Sequence, residues 1–237
     1  MINIQEKQAD GTLLFGWKSD PPLTPFAPSY THLFMEKKIF SEEECEEWNE
    51  YLLKQEQIIL DNFRTSLGDG STGLGDNSIT SRHPFFNVLE FDFHLAKQLK
   101  IKLFDCICCL LNITGNTTWQ ETLYTTCWFN VLRQGEKMKI HSHAYHNNTF
   151  YGFHLTIKAT ETFTSYYHPI KHQEEAFHVP NKQGYLTLFP NLIPHGVTPN
   201  KYETPRITIA GDMYASTVFP LASPKTLIKI GTYNNPK

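Results

Sequence analysis

The residues with the most chemistry to offer lie in the second half of the chain. The segment Lys137-Met138-Lys139-Ile140-His141-Ser142-His143 sets two imidazoles two residues apart. On a β-strand such residues project from the same face, so His141 and His143 would form a clamp for a divalent transition metal. A third histidine follows a second signal. Gly184-Tyr185-Leu186-Thr187-Leu188-Phe189-Pro190 reads as a buried strand ending in Phe-Pro, and after a short connection His195-Gly196-Val197-Thr198-Pro199 begins. His195 lies 52 residues beyond His143, enough chain for several strands to return beside the first pair. The next signal is Arg206-Ile207-Thr208-Ile209-Ala210, in which Arg206 and Thr208 share one strand face and Ile207 and Ile209 the other. A guanidinium aimed into an apolar interior is costly unless it meets an anion. Glu203 or Asp212 could supply that anion from within the protein. The alternative is a ligand carboxylate, with the Thr208 hydroxyl as a second donor.

These residues need strands to hold them. From Trp119 onward the sequence reads as short β-segments with turn signals between them: Thr122 to Leu132, Met138 to Ala144, Phe150 to Lys158, Thr162 to Tyr167, Gly184 to Phe189 and Arg206 to Tyr214. That spacing predicts a mostly β domain with flanking helices, a sandwich or jelly roll. Two helices precede it. Ser41 and Glu44 form a capping box ahead of Cys45, Trp48, Leu52 and Ile59, predicting an amphipathic helix over 41–60. A second helix is predicted from about His94 to Leu111. Its Cys106, Cys108 and Cys109 match no zinc spacing and read as core residues. Between the helices, the glycine-rich run from Ser66 to Arg82 lacks the Lys-Ser/Thr and the helix of a phosphate loop, and reads as a lid or surface loop. The first forty residues, with Pro21, Pro22, Pro25 and Pro28, read as loop. The whole is expected to be one domain: helical support and lid loop over 1–118, jelly-roll core over 119–216, and a C-terminal tail over 217–237. The remaining histidines carry no motif. His154 could line the roll interior, whereas His168, His172 and His178 read as solvent-facing.

In order and spacing, these elements resemble the iron(II)- and 2-oxoglutarate-dependent dioxygenases with a double-stranded β-helix (cupin-like) core. They are most similar to the phage and bacterial 2OG-Fe(II) oxygenase branch related to the prolyl 4-hydroxylases. The residues that carry the resemblance are Trp128-Phe129-Asn130, Gly135, His141-Ser142-His143, Tyr151-Gly152, Gly184 to Pro190, His195 to Pro199 and Arg206 to Ala210. The match covers about 124–214. It implies Fe(II) held by His141, His143 and His195, with 2-oxoglutarate as co-substrate, its far carboxylate bound by Arg206 and Thr208. Asn130 and Tyr151 are further candidates for the co-substrate or substrate pocket. The implied reaction is hydroxylation of a peptidyl residue or amino acid, with release of succinate and CO₂. One departure stands out: the middle ligand of the superfamily is Asp or Glu, and here it is His143. A neutral three-His set should favour Fe(II) over Fe(III). Otherwise His143 sits outside the ligand set and a carboxylate such as Glu161, Glu174 or Glu175 arrives from elsewhere. Two rivals stay open: a three-His cupin-type dioxygenase that does not use 2-oxoglutarate, and a non-catalytic jelly-roll binding module.

Composition narrows the field around these readings. With 237 residues, 40% hydrophobic and 14% aromatic, the chain can bury a core without metal or disulfide staples. A net charge of −3 gives no basic field for nucleic acid or anionic lipid. Five cysteines, three of them within four residues, and a polar opening Met1 to Asp10 predict reduced thiols and a cytoplasmic location. No apolar run is long enough to span a membrane.

Overall fold

The computed structural model describes residues 2–18, 31–64, 68–114, 120–143, 149–169, 175–216 and 226–234. Three hairpin-forming strands, β1 (Ile2–Lys7), β2 (Leu13–Lys18) and β3 (Thr31–Lys38), precede helix α1 (Glu42–Asn62), and helix α2 (His94–Thr114) follows two short 3-10 turns at Ile79–Phe85 and Val88–Glu90. The remaining strands are β4 (Gln120–Leu132), β5 (Met138–His141), β6 (Thr149–Lys158), β7 (Phe163–Tyr167), β8 (Glu175–Pro180), β9 (Tyr185–Pro190), β10 (His195–Val197), β11 (Arg206–Ala215) and β12 (Ile228–Asn234). They build an eight-stranded antiparallel sheet in the order β1-β2-β3-β9-β6-β11-β4-β12 and a four-stranded sheet in the order β5-β10-β7-β8. This is the jelly-roll architecture expected from the sequence.

Alternation along the strands decides what each face of the large sheet does. In β11, Ile207, Ile209 and Met213 are fully buried in a core with Phe129 and Val131 of β4, Phe153, Leu155 and Ile157 of β6, and the apolar stripes of both helices. The opposite face turns toward the small sheet and carries polar residues. Helix α1, which packs on the apolar face, begins with its predicted capping devices. The Ser41 hydroxyl accepts from the Glu44 N–H at 3.2 Å, and the Glu44 carboxylate accepts from the Ser41 N–H at 2.7 Å, satisfying two otherwise orphaned helix donors. Cys45, Trp48, Leu52 and Ile59 are its buried stripe. Within that stripe Glu56 is also buried, and it accepts two bonds from the Arg133 guanidinium, at 3.0 and 2.9 Å, pinning the helix to the end of β4. Gly184, at φ +81, immediately precedes β9 where a Cβ would lie 2.2 Å from the Phe40 carbonyl oxygen. No other residue allows that approach, and through it the Gly184 carbonyl accepts from the N–H groups of Ile39 and Phe40.

The first forty residues depart from expectation. They do not form loops alone, because β1, β2 and β3 extend the large sheet and pair onto β9. The prolines that suggested loop lie within 19–30, outside the described residues. The chain beyond 216 likewise holds a strand, β12, paired with β4, so the expected tail contributes to the sheet. Cys106 is core, but Cys108 is half-buried and Cys109 exposed, so only part of that cluster packs as expected. His168, expected in solvent, is 5% exposed and lies against Trp17. His178 is exposed as expected, and Glu174 and His172 fall outside the described residues.

Candidate active site

The polar face of the large sheet and the inner face of the small one enclose a cavity of about 240 Å³. On the small sheet, His195 of β10 is paired directly with His141 of β5 and with Tyr166 of β7, and directly opposed residues share a face. His143 follows β5 by two residues, its backbone N–H bonded to the Asn191 carbonyl at 3.1 Å. One nitrogen from each of His141, His143 and His195 lies within 4.8 Å of the others, the only such cluster of potential metal ligands among the described residues.

Each imidazole is oriented from behind. His141 Nδ1 lies 2.8 Å from the Lys139 carbonyl oxygen and His195 Nδ1 lies 3.1 Å from that of Ile193, whereas His143 Nδ1 lies 2.6 Å from Asp212 Oδ1. A carbonyl or carboxylate partner makes Nδ1 the N–H donor, so each Nε2 keeps its lone pair free for a metal. Burial, aided by the neighbouring His143, brings the His141 pKa down to about 4. Burial and the two neighbouring histidines hold that of His195 well below the usual range. Both rings are therefore neutral at pH 7, as ligation requires. For His143 burial opposes the charged form, but the Asp212 charge and hydrogen bond outweigh it and raise the pKa.

At the other end of the cavity stands Arg206, 1% exposed and on the same face of β11 as Thr208, Ala210 and Asp212. Its Nη1 lies 3.4 Å from the Thr208 hydroxyl, a weak contact, and its Nε has no hydrogen-bond partner. Neither Glu203 nor Asp212 pairs with it: Glu203 is exposed, and Asp212 is engaged with His143. Burial lowers even this guanidinium's pKa to about 10. Beside it, His154 of β6 bonds the Tyr166 hydroxyl through Nε2 at 2.6 Å and leaves a buried Nδ1 unpartnered. Burial first, and then the Arg206 charge, hold His154 neutral, with its pKa down to about 3. If the Tyr166 hydroxyl donates to Nε2, His154 Nδ1 carries the hydrogen. Two unpaired buried donors then belong to residues that line one cavity, an arrangement suited to an anion.

The other predicted residues divide by strand face. Asn130 lines the cavity opposite Thr208 and accepts from the Thr80 hydroxyl at 2.7 Å. Tyr151 does not reach it. The inward positions of β6 are Gly152, His154 and Thr156, and Tyr151 points the other way, donating to the Leu33 carbonyl at 3.2 Å. Glu161 does not line the cavity either. Reading β6 with period two from the histidines would have selected His154, and extending the Arg206–Thr208 face by two more steps would have reached Asp212. The glycine-rich loop does cover the cavity, through Asp69, Gly70 and Thr72. It is tied down by the Lys139 N–H bonded to the Thr72 carbonyl at 2.7 Å and by the Gly75 N–H bonded to Asp69 at 2.8 Å. Trp128, with His83 against it at 5.5 Å, forms an aromatic wall beside His143.

A jelly roll with a convergent histidine cluster lining its cavity is an arrangement suited to binding a metal ion. Comparison with known proteins goes further. Residues 126–212, which include all three histidines, Arg206 and Asp212, match the family described as "Putative 2OG-Fe(II) oxygenase". That stretch is similar to the 2OG-Fe(II) oxygenases, and the metal and co-substrate that the likeness implies are Fe(II) and 2-oxoglutarate. No curated protein matches the chain. Solved structures agree in fold. The α-ketoglutarate-dependent epimerase SnoN from nogalamycin biosynthesis is 12% identical, with a TM-score of 0.54 over 83% of this chain and 93% of that one. The carbocyclase SnoK from the same biosynthesis is 9% identical, with a TM-score of 0.54 over 85% and 92%. A prolyl hydroxylase from Trichoplax adhaerens, in complex with a hypoxia inducible factor peptide fragment, is 14% identical, with a TM-score of 0.52 over 80% and 87%. The residues present fit the implied groups: three convergent imidazoles for iron, and a buried guanidinium with an unpaired Nε and no carboxylate partner for an anion.

Proposed function

We propose that the protein is a hydroxylase in which His141, His143 and His195 hold Fe(II), while Arg206, Thr208 and His154 hold the far carboxylate of 2-oxoglutarate. The observation that carries this reading is the buried Arg206, without a carboxylate partner and with its Nε unpaired, in the same cavity as three convergent imidazoles. A three-His dioxygenase that ignores 2-oxoglutarate would have no use for that charge. The substrate we propose is a peptidyl residue or free amino acid, entering past Trp128, His83 and the loop at Asp69. The overall change is R–H + O₂ + 2-oxoglutarate → R–OH + succinate + CO₂.

Bound Fe(II) supplies the activation of O₂ coupled to decarboxylation of the keto acid. The chain's own residues do the rest. The Lys139 and Ile193 carbonyls and Asp212 fix the three rings with Nε2 inward, so little reorganisation accompanies metal entry. Arg206 anchors the keto acid by a charge-assisted bond in a site from which water is largely excluded. Trp128 and Phe189 shield the reacting end from solvent.

Anaerobic Fe(II) titration with and without 2-oxoglutarate tests the reading. A visible metal-to-ligand charge-transfer band should appear only when both are present. Iron binding that is blind to 2-oxoglutarate would favour the rival three-His dioxygenase, and no iron binding would favour a non-catalytic module.

A further inference from the structure

The three histidines are not held alike. Two are backed by neutral carbonyls and one, His143, by a carboxylate. Asp212 is poorly exposed, with 15% of its side chain accessible, and it bonds His143 at 2.6 Å. It stands three inward steps along β11 from Arg206, and the register opposes it to Thr126 of β4 and Gly152 of β6. Gly152 matters here, because a Cβ at that position would meet the Asn191 side chain at 2.6 Å. Gly152 thus leaves its place on β6 to the Asn191 side chain and the Phe189 ring, which pack next to the Asp212 position.

We propose that Asp212 is a positioning residue of the metal centre: it holds His143 in the Nδ1–H tautomer and places beside the metal the negative charge that an imidazole at this position cannot supply. The inference rests on the His141–His143–His195 ligand reading and adds a fourth member that reaches the metal only through His143. An imidazole hydrogen-bonded to a carboxylate is more basic at its far nitrogen and donates more charge than one bonded to a carbonyl. The site thereby recovers part of the anionic character of a carboxylate-bearing centre while the metal meets only nitrogen ligands. The charge would reach the metal centre from β11, the strand that also carries Arg206, so one strand would serve both the metal and the co-substrate.

The experiment compares wild type, Asp212→Asn and Asp212→Ala, all checked for folding by circular dichroism in the metal-free state. Co(II) affinity is measured together with the paramagnetically shifted exchangeable protons of the Co(II) protein. The Asn oxygen can still accept from Nδ1–H but carries no charge, so affinity should fall in the order wild type, Asn, Ala, with a total loss of about 10–100-fold. Wild type should show three shifted exchangeable N–H signals. The Ala variant should lose one of them to solvent exchange and keep the two whose partners are carbonyls. An Asn variant as tight as wild type would overturn the charge contribution. An Ala variant with unchanged affinity and all three signals would overturn the whole proposal. A wild-type protein with no shifted imidazole signals would instead sink the ligand reading, and this inference with it.

Discussion

The two ends of the cavity solve opposite problems. At the histidine end every Nδ1 has a partner within 3.1 Å, so the rings are set before anything binds. At the Arg206 end, two deeply buried nitrogens, Arg206 Nε and His154 Nδ1, have no partner at all. The first end is prepared for a cation and costs the ligand-free protein little. The second is prepared for an anion, and the ligand-free protein carries the desolvation cost. A site that is satisfied at one end and strained at the other should bind its metal independently of the co-substrate, but should gain stability mainly from the co-substrate.

The largest test of that contrast is Arg206→Met. It should abolish measurable 2-oxoglutarate binding, a loss of about 2–5 kcal/mol for one partner of a buried charged bond, while leaving Fe(II) affinity within about twofold. The same variant should raise the unfolding temperature of the ligand-free protein, because it removes a buried charge with no counter-ion. A fall in unfolding temperature would mean that the arginine end is not strained. Next in size is acid sensitivity, measured on metal-free protein in chelator. His141 has a folded pKa of about 4 against an ordinary 6.5. Between those values the unfolded state binds more protons, so stability present above pH 6.5 is lost as pH falls toward 4, on the order of 3 kcal/mol for this residue. His195 and His154 act in the same direction, whereas His143, with its raised value, opposes them. Chemical denaturation at stepped pH would show the slope, and a flat profile over that range would refute it. The smallest effect belongs to His154→Phe. Losing one neutral donor to a carboxylate should weaken 2-oxoglutarate about tenfold, in line with 1.5–3 kcal/mol for a bond to a charged group. Isothermal titration would detect it, and an unchanged affinity would remove His154 from the anion site.

How much of this was legible beforehand follows from the range of each signal. The capping box at Ser41 and Glu44, the helical stripe and the period-two strands are local patterns, and they appear in the structure within a few residues of expectation. His141, His143, His195, Arg206 and Thr208 each sit in a short strand motif whose face is legible directly, and all five line one cavity. What was missed depends on pairing across the chain. Strands β1 to β3 pair locally with one another, but only β3 ties them into the large sheet, through β9 about 150 residues later, and the proline-rich sequence between β2 and β3 masks the pattern. His154 lines the interior as expected, whereas Tyr151, despite its motif, faces the other way. Asp212 was seen, but as a possible partner for the nearby Arg206. Only the arrangement of β11 against the loop after β5 shows that it answers His143 instead.

The alternation along β11 has one more consequence. Its inward residues make both ends of the cavity, and its outward residues Ile207, Ile209 and Met213 fill the core beneath the helices. A slip of a single residue would drive Arg206 and Asp212 into that core and turn the isoleucines into the cavity. Such a mispaired chain could not persist as a folded but inactive enzyme. Along this strand, quality control of folding and assembly of the active site are one event.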